Sequence, residues 1–307
     1  MAVARRVRVV KSSGSQTSAR ELRHMALPQH RIGTTRSGDV QIFYRAFGAG
    51  GATPVLIIHG LSYFSYDWIA VADRLADARE VAAMDMRGFG ESTWSKEKNY
   101  AVGDFAQDCL SLMDHLGWRK AVLMGHSMGG RNATWCAAEN PDRVAALVLV
   151  DYTPQNAPAG ANRVATTVAG VPDRFASVAQ AMAYFGADAT DPAARARYEA
   201  YLDGRDGGYV VKRDTVHRDR FRKLLAGQAP GGGPDMWDAL ARVRCPILAI
   251  RGTRSDMFAA ETVERVKSIN RNIALVEVDA GHDVGGDNPG ALLAEVGKFL
   301  ELPERPP

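Results

Sequence analysis

Gly125-His126-Ser127-Met128-Gly129 sets one serine between two glycines. The apolar run Lys120–Met124 before it suits a buried strand, and Gly130–Glu139 after it suits a helix that stops near Asn140-Pro141. A serine on a tight strand-to-helix turn is held in a strained backbone conformation, with its hydroxyl exposed at the carboxyl end of a sheet. Glycines on both sides let the turn close without a Cβ clash. The helix start behind the serine offers unpaired N–H groups to a developing oxyanion. The chemistry this arrangement suits is attack of a hydroxyl on a carbonyl carbon.

A serine hydroxyl is a weak nucleophile at neutral pH; it needs a base, and the base needs an acid to orient it. The chain has seven histidines. His24 and His30 lie in or beside a basic N-terminal segment, His115 falls on a helix face, and His217 lies in a segment without strand character. His126 adjoins the serine, but its side chain should point away from the hydroxyl. His59 ends a strand beside Gly60 and reads as a structural side chain holding that loop. His282, in Asp279-Ala280-Gly281-His282-Asp283-Val284, follows the last apolar strand directly, so it should sit on the same sheet edge as Ser127. Two acids fit the chain order serine, acid, histidine. Asp256 lies on the loop after the penultimate strand, next to the histidine's own strand, and is the preferred partner. Asp151 directly follows the strand Val144–Val150 and is the alternative; its carboxylate could equally cap a turn. The Met128 amide and the Leu61 amide, in His59-Gly60-Leu61-Ser62, are the expected oxyanion donors.

These groups need a sheet to hold them. His30–Arg36 and Val40–Phe47 read as strands joined by the turn Ser37-Gly38-Asp39. Val55–His59, Glu80–Asp85, Val144–Val150, Cys245–Arg251 and Ile273–Val278 are short, almost wholly apolar strands. Asp67–Ala76, Val102–Leu116, Ala260–Asn270 and Gly290–Leu300 show helical spacing. Alternation of the two implies a parallel sheet covered by helices on both faces. The pattern breaks at 152–237, a stretch rich in proline and glycine with helical pieces at Val178–Phe185 and Ala193–Leu202. It reads as a helical insertion over the sheet ends, interrupting a core of residues 30–151 and 238–302.

The chain has 307 residues, 46% apolar and 24% charged, with a net charge of +3. That is ordinary for a soluble globular protein, and it makes no case for a nucleic-acid partner. No apolar run approaches the ~20 residues of a membrane span. Cys109, Cys136 and Cys245 are scattered and odd in number, which suits free thiols in a reducing, cytoplasmic setting rather than a metal site. Residues 1–29 are basic and serine-rich and lack the apolar core of a secretory signal. They read as a disordered leader, with an organellar transit peptide as the other option. No metal or cofactor is expected. A small-molecule substrate is the expected partner, and self-association stays open.

Taken in order, His59-Gly60, Asp85-Met86-Arg87-Gly88-Phe89-Gly90-Glu91-Ser92, Gly125–Gly130, Gly252–Asp256 and Gly281-His282 resemble the α/β-hydrolase superfamily, in its esterase, lactonase and carbon–carbon hydrolase branch. The resemblance runs from about residue 30 to 302. It implies an eight-stranded, mostly parallel sheet, a helical lid at the insertion, and a Ser127-Asp256-His282 triad. It also makes Asp85–Ser92 a structural loop near the active site; that segment lacks the lysine and spacing of a P-loop. Relatives with an aspartate nucleophile are excluded by Ser127. The expected reaction is cleavage of a carboxylic ester or lactone through an acyl-enzyme. Carbon–carbon cleavage of a diketone with the same triad is the nearest rival, and a non-catalytic ligand-binding role on the same fold is the other. Tyr63, Phe64 and Trp94 are candidate substrate contacts, or ordinary packing. Arg131, Lys212, Arg213 and Arg218 could meet an anionic substrate, although a solvated charged face accounts for them more simply.

Overall fold

In the computed structural model, residues 28–228 and 232–302 are described. All but the last two residues of the basic N-terminal leader therefore lie outside the described residues. Ten strands follow in chain order: β1 (Arg31–Ser37), β2 (Val40–Phe47), β3 (Ala52–Ile58), β4 (Arg79–Met84), β5 (Ala121–His126), β6 (Val144–Val150), β7 (Leu202–Arg205), β8 (Gly208–Val211), β9 (Ile247–Gly252) and β10 (Ile273–Val278). Eight of them form one sheet in the order β1-β2-β4-β3-β5-β6-β9-β10. The β1–β2 and β2–β4 pairs are antiparallel, and every other pair is parallel.

Successive side chains of a strand face opposite sides, so each central strand feeds two cores. Leu56, Ile58, Leu123, Leu147 and Leu149 pack on one side, with residues of the helices Val102–His115, Met128–Glu139 and Met236–Arg242. Val55, Ile57, Val122, Met124, Val148 and Val150 pack on the other, with Ile69–Leu75 and Pro289–Phe299. Strands with both faces covered must be apolar at every position, which is why the runs in the sequence are continuous rather than alternating.

Between β6 and β9 the chain forms helices Pro158–Ala169, Val178–Tyr184, Pro192–Tyr201 and Thr215–Leu225. It also forms the antiparallel hairpin β7–β8, which a purely helical reading of 152–237 omits. The hairpin turns at Asp206-Gly207, both at positive φ (46° and 77°). Aspartate–glycine between strand-forming residues favours that turn, and it was the available signal. This insertion has a small core of its own, including Phe175, Met182, Tyr198 and Tyr201, into which Phe64 from the main body projects.

Backbone bonds tie the insertion to the Asp85–Ser92 loop: Gly90 N–H donates to Lys212 O at 2.8 Å and Asp214 N–H to Gly88 O at 2.7 Å. The loop is itself pinned by the buried Asp85 carboxylate, which accepts from Ser65 N–H (2.6 Å) and Glu91 N–H (2.8 Å). Burial pushes the Asp85 pKa up to about 6. Cys109 and Cys136 are buried free thiols and Cys245 is partly exposed. Among the described residues, no helix is long and apolar enough to cross a membrane.

Candidate active site

Ser127 occupies the single-residue turn between β5 and the helix Met128–Glu139, with φ 52° and ψ −116°. This conformation is unfavourable for a residue with a Cβ, and the surroundings leave no alternative. A Cβ at position 125 would lie 2.4 Å from Gly129 O, and one at position 129 would lie 2.1 Å from Ile58 O. The turn is packed so closely on itself and on β3 that both glycines are required by contact. Ser127 N–H donates to Val150 O at 3.1 Å, which fixes the turn to β6.

His282 stands on the loop after β10. Its Nε2 lies 3.0 Å from Ser127 Oγ, and its Nδ1 lies 2.6 Å from Asp151 Oδ2. The Asp151 side chain is fully buried, whereas the His282 side chain keeps 14% exposure. Asp151 follows β6 directly, in a left-handed conformation (φ 45°) that aspartate tolerates better than most residues. Its Oδ1 accepts from Gly252 N–H (2.9 Å) and its Oδ2 also accepts from Ser255 Oγ–H (2.5 Å). Sequence reasoning missed Ser255, which lies beside Asp256 in a motif read for its aspartate.

Asp256, the acid preferred from the sequence, is not the one beside His282. Its carboxylate forms a two-pronged ion pair with Arg163 (Nε–Oδ2 2.5 Å, Nη2–Oδ1 2.8 Å) and keeps 37% exposure. The Arg163 guanidinium holds the Asp256 carboxyl below its ordinary range. The backbone of that loop is also tied to the insertion, since Gly160 N–H donates to Asp256 O at 3.0 Å. Both loops reach the correct sheet edge; the direction of the side chain separates them, and the partner that decides it, Arg163, lies in the segment whose placement the sequence leaves open.

His126 faces away from the hydroxyl. It is buried, and its Nε2–H donates to the His282 carbonyl at 2.9 Å, steadying the loop that carries the candidate base. Burial, reinforced by the charge of a protonated His282, holds the His126 pKa well below the ordinary value. His59 is a structural group: Nδ1–H donates to Gly60 O (2.7 Å) and Nε2 accepts from Met86 N–H (2.9 Å). The Met128 amide opens its helix and, like first-turn amides in general, has no intrahelical acceptor. Leu61 lies on the loop after β3, beside Gly60.

Of the three aromatic candidates, Tyr63 lies at the site, edge-on to His126 at 5.0 Å. Burial, with the charges of Asp283 and Asp67 nearby, pushes its phenol well above 10. Phe64 is 1% exposed, stacked on Tyr66 and tilted against Tyr201, so it is packing and not a substrate contact. Trp94 is 37% exposed, in a surface depression with Glu91, Asp203, Arg205 and Lys212 that includes none of Ser127, Asp151 or His282.

The sequence profile of the alpha/beta hydrolase fold matches residues 53–289. The chain belongs to the α/β-hydrolase fold family. It is similar to a 2-(acetamidomethylene)succinate hydrolase of Mesorhizobium japonicum, 27% identical over 86% of this chain and 93% of that one. A 3-hydroxybutyrate-oligomer hydrolase of Cupriavidus necator is 28% identical over 80% of this chain and 88% of that one. Among solved structures, an E-2-(acetamidomethylene)succinate hydrolase superposes with a TM-score of 0.77 at 26% identity, covering 89% of this chain and all of that one. This member of the α/β-hydrolase family is accordingly a hydrolase.

Proposed function

We propose that this hydrolase cleaves carboxylic esters, lactones included, through a serine acyl-enzyme, with Ser127 as nucleophile, His282 as general base and Asp151 as the acid that orients it. The observation that carries the reading is the pair of contacts at His282: Nε2 at 3.0 Å from Ser127 Oγ and Nδ1 at 2.6 Å from a fully buried carboxylate. Both distances are within proton-transfer reach.

Ser127 Oγ attacks the ester carbonyl while its proton passes to His282 Nε2. The imidazolium that forms is stabilised through Nδ1–H by the Asp151 carboxylate, which stays ionised. The Met128 and Leu61 amides hold the tetrahedral oxyanion; one such donor is typically worth about 10²–10³-fold in rate. His282 then protonates the leaving alcohol oxygen. Water, deprotonated by the same nitrogen, releases the acid. The insertion acts as a lid that shapes the acyl and alcohol pockets. The named relatives act on succinate- and hydroxybutyrate-derived molecules, which supports a carbonyl substrate without fixing it.

The test is labelling with a fluorophosphonate probe, followed by a 4-nitrophenyl ester series assayed beside a diketone. Labelling that vanishes in Ser127→Ala, with clear ester turnover, is the expected result. Absence of labelling would favour a ligand-binding role. Strong preference for the diketone, with only trace ester turnover, would replace the reading with carbon–carbon hydrolysis.

A further inference from the structure

The four basic residues singled out in the sequence divide into two kinds. Lys212 reaches Glu91 Oε1 and Arg218 reaches Asp173 Oδ1, each at 2.5 Å, so both are ordinary ion pairs. Arg213 is 5% exposed, and its guanidinium makes only long contacts, 3.4 Å to Leu61 O and 3.3 Å to Ser62 Oγ, on the loop that carries the candidate oxyanion amide. Arg131 lies one helical turn past Ser127, to whose carbonyl its N–H donates at 3.1 Å. Its guanidinium touches Asn132 Oδ1 at 3.2 and 3.3 Å, and burial lowers its pKa. Among the described residues neither arginine meets a carboxylate.

His217, on the helix Thr215–Leu225, joins them. It is 5% exposed, packed on the rings of Phe89 (4.6 Å) and Tyr100 (4.9 Å). Its Nε2 is buried with no hydrogen-bond partner among the described residues. Desolvation, then the positive charges of Arg213, Arg220 and Arg131, bring its pKa down to about 3, against the pull of Asp214. Asp214 does not neutralise the arginines, because its carboxylate is held by Lys98 Nζ (2.9 Å) and Tyr100 Oη–H (2.6 Å). Arg220 is exposed and rests its Nη1 on Tyr100 O at 3.4 Å. Arg213 pairs its backbone with Phe89 and Arg220 rests on Tyr100, the two rings against which His217 packs, and the charge of Arg131 reaches the imidazole from the nucleophile helix. Arg213 and His217 are buried and Arg131 is half-buried, while Arg220 is exposed; like charge gathered with so little solvent around two of the arginines is costly unless an anion completes it.

We propose that Arg131, Arg213 and Arg220, with His217, bind a free carboxylate of the substrate, so that the ester cleaved at Ser127 belongs to a molecule carrying a second, ionised acid group. The proposal rests on the ester-hydrolase reading above and narrows its substrate class. Planar guanidinium forks match a carboxylate two-pronged, and His217 Nε2–H supplies a further donor. Arg131 and Arg213 flank the nucleophile and the oxyanion loop, so the acid group would anchor the acyl chain with its reacting carbonyl at Ser127.

The experiment uses 4-nitrophenyl monoesters of glutaric to suberic acid, each beside its methyl-capped counterpart and corrected for spontaneous cleavage. At one chain length or more, kcat/KM should favour the free acid by about tenfold or more. That preference should fall about tenfold, to near-equal turnover of acid and capped ester, in Arg213→Gln and Arg131→Gln, within the usual worth of a charged hydrogen bond. Equal turnover of acid and capped ester at every length overturns the proposal, and this reading needs no variant to fold. Calorimetry with adipate, which has no bond to cleave, separates the two levels. Adipate binding that is weakened in Arg220→Gln, in a protein inactive on every ester, retains the subsite and refutes ester hydrolysis. Ester turnover with no adipate binding and no acid preference does the reverse.

Discussion

Both oxygens of the Asp151 carboxylate are occupied by donors: Gly252 N–H on one, Ser255 Oγ–H and the His282 ring on the other. An amide at this position must present an NH₂ group to one of those donors, whichever way it is turned. If the NH₂ meets His282 Nδ1, the imidazole proton moves to Nε2 and the base can no longer take the serine proton. Asp151→Asn should therefore lower kcat by about 10⁴-fold. Asp256→Asn removes one partner of a solvent-exposed pair, worth at most about 1 kcal/mol, and should leave kcat within about threefold. A nitrophenyl ester assay on the two variants decides it, and the opposite order would return the acid to position 256. At this scale the sequence is legible where position alone suffices. Ser127 and His282 end strands on the same edge, and their order in the chain makes them meet. Side-chain direction is not legible: Tyr63 and Phe64 are neighbours, yet one turns to His126 and the other into the core of the insertion.

The strand–turn–helix element at Ser127 stores strain, because φ 52° with ψ −116° suits glycine far better than serine. Ser127→Ala keeps that strain and should melt close to the parent protein. Ser127→Gly removes about 1–3 kcal/mol of it and adds back about 0.5–1 kcal/mol of unfolded-chain freedom. Its melting temperature should exceed that of Ser127→Ala; thermal unfolding of the two variants checks this, and equal values would mean the turn is relaxed. The insertion depends on another element-level contact. Arg197, on the helix Pro192–Tyr201, binds Asp67 (2.5 Å) and Ser62 O (3.1 Å) and lies over the rings of Tyr63, Phe64, Tyr198 and Tyr201. Arg197→Met fills similar space but leaves Asp67 without its counter-charge in a buried position. The insertion should loosen by about 2–4 kcal/mol, seen as faster proteolytic nicking within 152–237 while the sheet resists. The strands are legible because continuous apolar runs have one structural use in a sheet covered on both sides. The insertion is not, since its helices pack on each other and on loops, and β7–β8 is too short to show a period.

Across the whole molecule, stability should carry the mark of imidazoles buried in their neutral form. His59 is fully buried, and desolvation brings its pKa to about 3. Between pH 6.5 and 3 the unfolded chain binds a proton at His59 that the folded chain refuses. Its contribution is thus complete above pH 6.5 and declines as the pH falls toward 3. The gap in unfolding free energy between the parent protein and His59→Gln should narrow by up to about 2 kcal/mol on going from pH 7.5 to 5.0, measured by urea denaturation. A gap independent of pH would mean that His59 takes up a proton as readily in the fold as in the unfolded chain. The fold class is the most legible level, because a parallel sheet with helices on both faces follows from the alternation of apolar strands and amphipathic helices, whereas the strand order is not legible there.

Ser127 and Asp151 stand at the ends of β5 and β6, whose register pairs His126 with Val150. The spacing of the proposed nucleophile and acid is therefore set by one run of parallel backbone hydrogen bonds deep in the sheet. The loop after β9 contributes only Gly252 N–H and Ser255 to that pair, while its Asp256 clasps Arg163 of the insertion. The covering structure and the proposed reactive pair are thus held by different residues of that loop. Descendants of this chain could exchange the covering, and with it the preferred molecule, while the reactive pair keeps its spacing.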